Sequence, residues 1–402
     1  MNSSPRNDTS VLTQRGLERR LKRHLFKSEC VFLATISPGF ENTLETEIKN
    51  LGEAKVNETI EGGVLFSGPL DLVYSANLKL RTANRILLRI DTFTARSYPE
   101  LFNKSRKISW EIYCGFSPSV SFSVSSKCSR LHHTENIENA VFDALHESML
   151  KLGVSVCKSG DSPIRFHIRF HEDECTISID TSGELLYKRG YRTEVAYAPI
   201  RESTAASLLM IAQWDKYNVI ADPMCGSGVF IFESTLMIVN CAPGLQRSFA
   251  FEMWPSFNLQ KWNSLKEKAR NSVIERADLR LIASDIDAKA VQSTENNFKR
   301  LNVTVPIELK QRDCFEFNKN NEYGGKGLII SNLPYGKRVG ATDELPGLYK
   351  KLANHYRKYC KDWDFGFVCE DIRFPQMTKF KVSKKIQFVN GGIPVTFFYG
   401  KF

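Results

Sequence analysis

Residues 218–234, "NVIADPMCGSGVFIFES", decide the fold of this chain. An apolar run at residues 219–221 ends in an aspartate, and a loop of small residues at 225–228 leads into a helical pattern. A strand that enters a helix through a glycine-rich turn is the start of a β–α unit. Glycines allow the backbone to approach a ligand closely, and the first N–H groups of the helix face that ligand. The stretch therefore predicts both an α/β domain and a ligand site.

The β–α pattern continues towards the C-terminus. Four further strand runs follow and alternate with helical patterns: "RLIASDID", "IELKQRD", "GLIISNLP" and "DFGFVC". Such alternation predicts a parallel, doubly wound sheet. The last segment, "KVSKKIQFVNGGIPVTFFYG", contains the hairpin turn Asn390-Gly391-Gly392 between two strand runs. We therefore predict a seven-stranded sheet, at about residues 188–402, that finishes with an antiparallel hairpin.

Two smaller units precede this domain. Between residues 30 and 94, the strand runs "VFLATI" and "GGVLFSG" alternate with helical patterns, which predicts a small α+β unit. Between residues 95 and 187, "SVSFSVSS" alternates as a strand, a helical pattern follows, and "IRFHIRFHEDECTISID" predicts a hairpin that turns at residues 172–174. His167 and His171 share a polar strand face, but a metal site there would lack a third ligand.

Composition restricts the class of protein. The chain has 402 residues and a net charge of +10, which favours a polyanionic partner. Residues 1–29 form a basic segment, expected as either a helical arm on RNA or a disordered tail. The ten cysteines form no C-x-x-C pair, which indicates reduced thiols of an intracellular, cytoplasmic protein. No apolar run suits a membrane span or a secretory signal, and we expect no metal site.

Polar residues end successive strands of the predicted sheet, and ligands of such sheets bind at that rim. Asp222 ends the first strand, and Asp285 ends the second, where a carboxylate accepts hydrogen bonds from a ribose diol. Asp313 ends the third strand, where it could accept from an adenine amino group. Asn332 ends the fourth and begins "NLPYGKRVG". The loop residues Cys225, Gly226 and Gly228 suit a ligand that has an amino acid moiety and a nucleoside.

This series resembles the S-adenosylmethionine-dependent amino-group methyltransferases. The segments "YKRGYRTEVAYAPIRESTAASLLMIAQW", "DPMCGSGVFIFES", "FAFEMWPSF", "SDIDAKAV" and "NLPYGKRVG" resemble the THUMP-domain RNA guanine-N2 methyltransferases, particularly the bacterial large-subunit rRNA type. The family usually has N-P-P-Y, and here Leu333 replaces the first proline. The resemblance implies a Rossmann-like methyltransferase domain at 188–402, a ferredoxin-like domain at 30–94 and a THUMP RNA-binding domain at 95–187, in which "SRLHHT" lies.

The resemblance also assigns roles to residues. Asn332 and the Leu333 carbonyl would accept from the amino group of the target base, Pro334 would fix the turn, and Tyr335 would stack on the flipped-out base. The S-adenosylmethionine site would comprise residues from five segments: Pro199, Thr204, Asp222, Cys225, Gly226, Gly228, Asp285, Asp313 and Asn332.

The sequence thus favours an enzyme that methylates N2 of a guanine in 23S-type rRNA. A tRNA guanine-N2 methyltransferase is the nearest alternative, because "GKRVG" is also similar to tRNA-modifying relatives. A protein glutamine-N5 methyltransferase would share the N-P-P-Y type of motif, but the basic charge and the large N-terminal half argue against this alternative. The non-enzymatic alternative is an RNA-binding protein with an inactive methyltransferase domain. The oligomeric state is left open.

Overall fold

The structure is a computed structural model that describes residues 11–26, 28–192, 200–275, 279–301, 305–319, 325–334 and 345–402. It contains an eight-stranded sheet built from the N-terminal half and a seven-stranded sheet built from the C-terminal half. One cluster of buried apolar residues extends from α1 at Gln14–His24 to the strand β15 at Ile393–Lys401, so the two halves share a core.

The N-terminal half contributes eight strands and six helices. In chain order they are α1 (Gln14–His24), β1 (Cys30–Thr35), α2 (Glu41–Lys49), β2 (Lys55–Ile60), β3 (Gly63–Gly68), α3 (Leu72–Lys79), β4 (Arg85–Thr94), α4 (Tyr98–Ser105), α5 (Glu111–Cys114), β5 (Ser119–Lys127), α6 (Thr134–Leu150), β6 (Cys157–Lys158), β7 (Arg165–His171) and β8 (Glu174–Asp180).

These strands form a single sheet in the order β2-β3-β1-β4-β8-β7-β5-β6. The two predicted units are therefore continuous, because β4 pairs antiparallel with β8 and brings Leu87 opposite Asp180. The predicted hairpin is β7–β8, and its turn residues Glu172 and Asp173 both have positive φ, as a tight hairpin turn requires. The boundaries of the predicted domains stay predictions.

The basic N-terminal segment is helical where the structure describes it. The Thr13 hydroxyl caps α1 by accepting from the Gly16 N–H at 3.1 Å. Leu17 and Leu21 are buried one turn apart, so α1 packs on the protein with one face. Arg20 forms an ion pair with the buried Glu111 at 2.5 Å. Residues 14–24 are therefore an ordered helix rather than a disordered tail, and the contact of this helix with RNA stays a prediction.

The C-terminal half contributes the second sheet. In chain order its elements are α7 (Glu202–Ile211), β9 (Val219–Asp222), α8 (Val229–Ile238), α9 (Leu259–Asn271), β10 (Arg280–Asp285), α10 (Ala288–Arg300), β11 (Ile307–Gln311), β12 (Gly327–Asn332), α11 (Leu345–Tyr359), β13 (Asp364–Cys369), α12 (Phe374–Thr378), β14 (Lys381–Asn390) and β15 (Ile393–Lys401), with short 3-10 helices at Trp214–Lys216, Ala250–Met253 and Cys314–Glu316.

The strand order of this sheet is β11-β10-β9-β12-β13-β15-β14. Strands β9 to β13 are parallel, whereas β15 lies antiparallel between β13 and β14. The order reverses at β9 and β12, and the carboxyl ends at such a switch point form a ligand crevice. The predicted fold class, a Rossmann-like sheet with a terminal antiparallel hairpin behind an α+β N-terminal half, is confirmed.

Buried polar contacts join the two halves. Glu233 of α8 is fully buried and pairs with Arg189 at 3.4 Å, while the Tyr191 hydroxyl donates to it at 3.0 Å. Arg189 in turn donates to the carbonyl of Arg81 in the N-terminal half. The Ser203 hydroxyl of α7 donates to Asn84, which precedes β4, at 2.8 Å. These bonds hold α7, and α8, which directly follows the predicted ligand loop, against the N-terminal half.

Within the described ranges, no helix combines the length and apolarity that a membrane-spanning segment needs. The side chains of the described residues bring together no group of three or more His, Cys, Asp or Glu that could hold a metal ion.

Candidate active site at the carboxyl ends of the parallel strands

Three of the predicted site residues lie on one rim of the second sheet. Asp222 and Asp285 are the last residues of the neighbouring parallel strands β9 and β10, and Asn332 is the last residue of β12 on the other side of β9. Because neighbouring parallel strands end at the same edge, the rim presents two carboxylates and an amide around the switch point.

Asp222 is a buried carboxylate. Its Oδ1 accepts from the Ser331 hydroxyl at 2.6 Å and from the Met224 N–H at 3.2 Å. Burial raises its pKa to about 7 despite these two hydrogen bonds, and the nearby charge of Asp285 acts in the same direction. A buried carboxyl with a raised pKa at a strand end is suited to receive a cationic ligand group, which would restore its charge.

The glycine loop is held in place by the neighbouring strand and helix. The Gly226 N–H donates to Asp285 Oδ2 at 2.9 Å, and the Gly226 carbonyl accepts from the Thr294 hydroxyl at 2.9 Å. Gly228 has φ +82°, and a Cβ there would lie 2.8 Å from the Phe232 ring. Gly228 is therefore required by backbone conformation and by packing, in addition to any approach of a ligand.

Asp285 of the rim carries local structural bonds, and so does Asp313, which lies two residues beyond the end of β11 at Gln311 instead of ending that strand as predicted. Asp285 Oδ1 accepts from the Asp287 N–H at 3.0 Å, so each of its oxygens already has one partner. Asp313 accepts from the Phe315 N–H at 3.0 Å and caps the short 3-10 helix after β11. Because a carboxylate has about four lone-pair sites, these bonds leave acceptor capacity for a ligand on both residues.

Asn332 carries an unpartnered polar atom. Its side-chain oxygen is buried and accepts no hydrogen bond from the described residues. The next residue, Leu333, is fully buried, and its N–H donates to the Val368 carbonyl at 2.9 Å. The Pro334 carbonyl accepts from the Tyr349 hydroxyl at 3.3 Å. A buried acceptor without a donor is costly, so the amide oxygen at the end of β12 indicates a site for a ligand donor.

The remaining predicted residues are divided between α7, the loop and segments outside the described residues. Thr204 is buried near the start of α7, and the hydroxyl of the neighbouring Ser203 donates to Asn84. Cys225 is buried, and burial raises its thiol pKa well above the usual range, which suits a loop residue rather than a nucleophile. Pro199 and Tyr335 lie outside the described residues.

Comparison with known proteins assigns the family. Residues 189–397 match the family model UPF0020, described as "RMKL-like, methyltransferase domain", and residues 31–87 match a model described as "RlmL ferredoxin-like domain". The chain belongs to the RMKL-like methyltransferase family. All of the rim residues that the structure describes lie within the first match.

Relatives of this RMKL-like chain carry related names. It is 32% identical to "Putative RNA methyltransferase YpsC" of Bacillus subtilis (strain 168), over 91% of this chain and 94% of that protein. It is 31% identical to "Ribosomal RNA large subunit methyltransferase K/L" of Shewanella sp. (strain MR-7), over 91% of this chain but 52% of that protein. The chain thus spans about half the length of the K/L relatives. The crystal structure of SMU.472, "a putative methyltransferase complexed with SAH", superposes with a TM-score of 0.85 at 29% identity, over 93% and 98% of the two chains.

Three residues of the site were not assigned a role from the sequence. Ser331 lies in the predicted strand "GLIISNLP" and was given no role, yet its hydroxyl donates a hydrogen bond to Asp222. Thr294, which anchors the glycine loop, lies in the middle of α10 and has no local signal in the sequence. Ile286 directly follows Asp285 and is 68% exposed at the rim. An apolar residue after a strand-ending carboxylate is the one signal that could have indicated a contact with a flat ligand.

Proposed function

We propose that this RMKL-like chain transfers a methyl group from S-adenosylmethionine to the exocyclic N2 of a guanine in large-subunit ribosomal RNA. The observation that carries the proposal is the buried, unpartnered oxygen of Asn332 at the carboxyl end of β12. It lies one residue from Ser331, which bonds the buried Asp222. The base-binding acceptor and the cofactor-binding carboxylate are therefore joined through adjacent residues.

The residues of the rim suit this cofactor. Asp222 would pair with a cationic group of the methionine moiety, and Asp285 would accept from the ribose hydroxyls with the lone pairs that its backbone bonds leave free. Asp313 would accept from the adenine amino group, and the exposed Ile286 would pack on the adenine face. The glycine loop and the start of α8 would line the methionine side, together with Thr204 and Pro199. The bound cofactor supplies an electrophilic methyl group on a sulfonium.

The chain's own contribution is to prepare the amino group. The lone pair of an exocyclic amine is delocalised into the ring, which makes the nitrogen a poor nucleophile. Asn332 Oδ1 and the Leu333 carbonyl would accept from its two N–H groups and favour a tetrahedral nitrogen with a localised lone pair. Leu333 is held for this role by its own N–H bond to Val368. Pro334 would fix the turn and Tyr335 would stack on the extruded base. Positioning and electrostatics supply the acceleration.

The closest alternative is the same chemistry on tRNA. This alternative differs from the proposal only in the substrate, because the methylated guanine would belong to a tRNA instead of large-subunit rRNA. Mass-spectrometric nucleoside analysis of rRNA and tRNA from a deletion strain tests the proposal: we expect N2-methylguanosine to fall by one site in large-subunit rRNA. A loss confined to tRNA, or no loss in either RNA, would contradict it.

The proposed chemistry is tested by Asn332→Ala. Removal of one preorganised acceptor should lower single-turnover methyl transfer by about 10²–10³-fold, while cofactor affinity measured by calorimetry stays near that of the wild type. Asn332→Asp is the matched control, because it keeps an acceptor oxygen at the same position and should retain more activity than the alanine variant. A folded Asn332→Ala protein that methylates at the wild-type rate would refute the mechanism.

A further inference from the structure

The eight-stranded sheet has one apolar and one polar face. In β7, Phe166 packs on Trp110, with ring centroids 5.1 Å apart, and Phe122 of β5 packs on Phe142 of α6 at 6.3 Å. Because side chains alternate along a strand, the intervening residues lie on the opposite face. There the register aligns serines of β5 with basic residues of β7 in three pairs: Ser121 with Arg165, Ser123 with His167, and Ser125 with Arg169.

Two arginines on this face lack a counter-ion. Arg89 of β4 and Arg169 of β7 flank β8, and neither side chain forms a hydrogen bond or an ion pair with the described residues. Burial lowers the pKa of Arg89, and the neighbouring Arg169 lowers it further, whereas Glu174 offsets part of this effect. Arg165 donates to Ser121 and to the Gly160 carbonyl but reaches no carboxylate. Like charges held side by side on a rigid sheet favour an anionic partner.

The same face contains two adjoining depressions. One, of about 510 Å³, is lined by Arg165 and by Arg85 and Lys158, which pair with Asp180 and Glu138. The other, of about 280 Å³, is lined by Arg89, Arg169 and Glu61. Ser123 and His167 line both. The Nε2 atom of His167 is buried without a hydrogen-bond partner among the described residues, and it lies 4.0 Å from Asp180. The two depressions therefore combine hydroxyl donors, guanidinium groups and an unsatisfied ring nitrogen.

We propose that this basic sheet face, defined by Arg89, Ser123, Arg165, His167 and Arg169, binds the phosphate backbone of the RNA substrate. The identity of the polyanion rests on the proposed function. Arginine and serine side chains are the usual donors to phosphate oxygens. A protein partner is less well matched, because none of the large exposed apolar side chains of the described residues lies on this face. The face grips RNA independently of sequence, whereas the rim of the second sheet selects the guanine.

Salt dependence of RNA binding tests the basic sheet face. The variant Arg89→Gln/Arg169→Gln should bind protein-free large-subunit rRNA roughly tenfold more weakly at moderate salt, and the slope of log K against log salt should shrink by about 2, one for each lost phosphate contact. Lys49→Gln/Lys79→Gln is the matched control. It removes the same charge from exposed positions of α2 and α3, outside the residues that define the basic sheet face, and should leave the slope unchanged. Equal slopes for wild type and the arginine variant would overturn the proposal.

A second variant guards against misfolding of the half-buried Arg89. Ser125→Glu introduces a carboxylate opposite Arg169 at an exposed strand position. It should weaken RNA binding through neutralisation and repulsion, while circular dichroism and thermal unfolding stay those of the wild type. Wild-type RNA affinity in this folded variant would count against the basic sheet face.

The outcomes separate this inference from the proposed function. If the wild type methylates rRNA but none of the sheet-face variants changes RNA binding, the basic sheet face is wrong and the proposed function stands. If the wild type transfers no methyl group to RNA yet binds it with a slope that falls in the arginine variant, the face stands and the proposed function fails. A wild type that does not bind RNA would overturn both.

Discussion

One hydrogen bond connects the part of the rim that we assign to the cofactor with the part that we assign to the target base. The Ser331 hydroxyl donates to Asp222 at 2.6 Å, and the chain neighbour of Ser331 is Asn332, whose amide oxygen is buried without a partner. The carboxylate that we assign to the cofactor is therefore bonded to the residue that directly precedes the amide assigned to the target base. Single residues of this rim form bonds within the fold and are also proposed to bind the ligand. Their substitution should therefore change both ligand affinity and the free energy of unfolding.

Asp285 illustrates this double duty. Asp285→Ala removes the proposed ribose acceptor and also the anchor of the Gly226 N–H. We expect cofactor affinity to fall by at least about 1.5–3 kcal/mol, the scale for a hydrogen bond to a charged group, with a lower unfolding free energy in the absence of cofactor. Asp285→Asn keeps one acceptor oxygen and should lose less of both. Unchanged cofactor affinity of the alanine variant by calorimetry would contradict the assignment.

Asp222 should make stability depend on pH. Its pKa is raised from 3.8 to about 7 in the folded protein, so the folded state binds the proton more tightly than the unfolded state. The stabilisation is complete below about pH 4 and is lost as the pH rises through about 7. In chemical denaturation without cofactor, wild type should lose stability relative to Asp222→Asn over this window. Asp215→Asn, at an exposed position, is the control and should show the same pH dependence of the unfolding free energy as the wild type. Parallel plots of unfolding free energy against pH for the wild type and Asp222→Asn would argue against a buried neutral carboxyl.

At the scale of elements, α1 joins the core with one face and exposes charge on the other. Leu17 and Leu21 are buried, whereas Arg15, Arg19 and Arg23 are exposed. Deletion of residues 1–27 would therefore remove packing as well as charge, so a truncation cannot isolate an RNA contact. The triple variant Arg15→Gln/Arg19→Gln/Arg23→Gln should keep the wild-type melting temperature. If α1 contacts RNA, the salt slope of rRNA binding should fall; an unchanged slope would restrict α1 to a structural role.

The elements also indicate what the sequence could predict. Strands with strong apolar runs, such as β9 and β12, and the hairpin β7–β8 were predicted close to their observed positions. Strand β2, "KVNETI", was missed because it is a largely exposed strand whose side chains carry no clear alternation. Strand β4 was missed although "RILLRI" is apolar, and with it the continuous sheet, since nothing local links Leu87 to Asp180. The strand-end residues were predictable because parallel strands bring their carboxyl ends to one edge.

At the scale of the whole molecule, the buried pair Arg189–Glu233 of the C-terminal half is linked to the N-terminal half, because Arg189 also donates to the Arg81 carbonyl. Glu233→Leu leaves the Arg189 guanidinium buried without its carboxylate, and we expect a loss of about 3–5 kcal/mol of unfolding free energy. The double variant Glu233→Leu/Arg189→Met removes both charges and should be less destabilised than the single variant, although it also loses the bonds from Arg189 to the Arg81 and Leu186 carbonyls. Chemical denaturation measures the unfolding free energies of the two variants. A double variant that is no more stable than the single one would contradict the view that the unpaired buried charge causes most of the loss.

The pairing of β4 with β8 has a consequence for synthesis on the ribosome. When residues 30–94 have emerged, β1, β3 and β4 can pair, but β4 then ends the sheet with one row of unpaired backbone groups. Its partner β8 is made only after the intervening residues 95–173. The nascent N-terminal half therefore passes through a stage with an open strand edge, which favours intermolecular pairing and aggregation. Expression fragments that stop between β4 and β8 should be poorly soluble, and fragments that extend through Asp180 should recover.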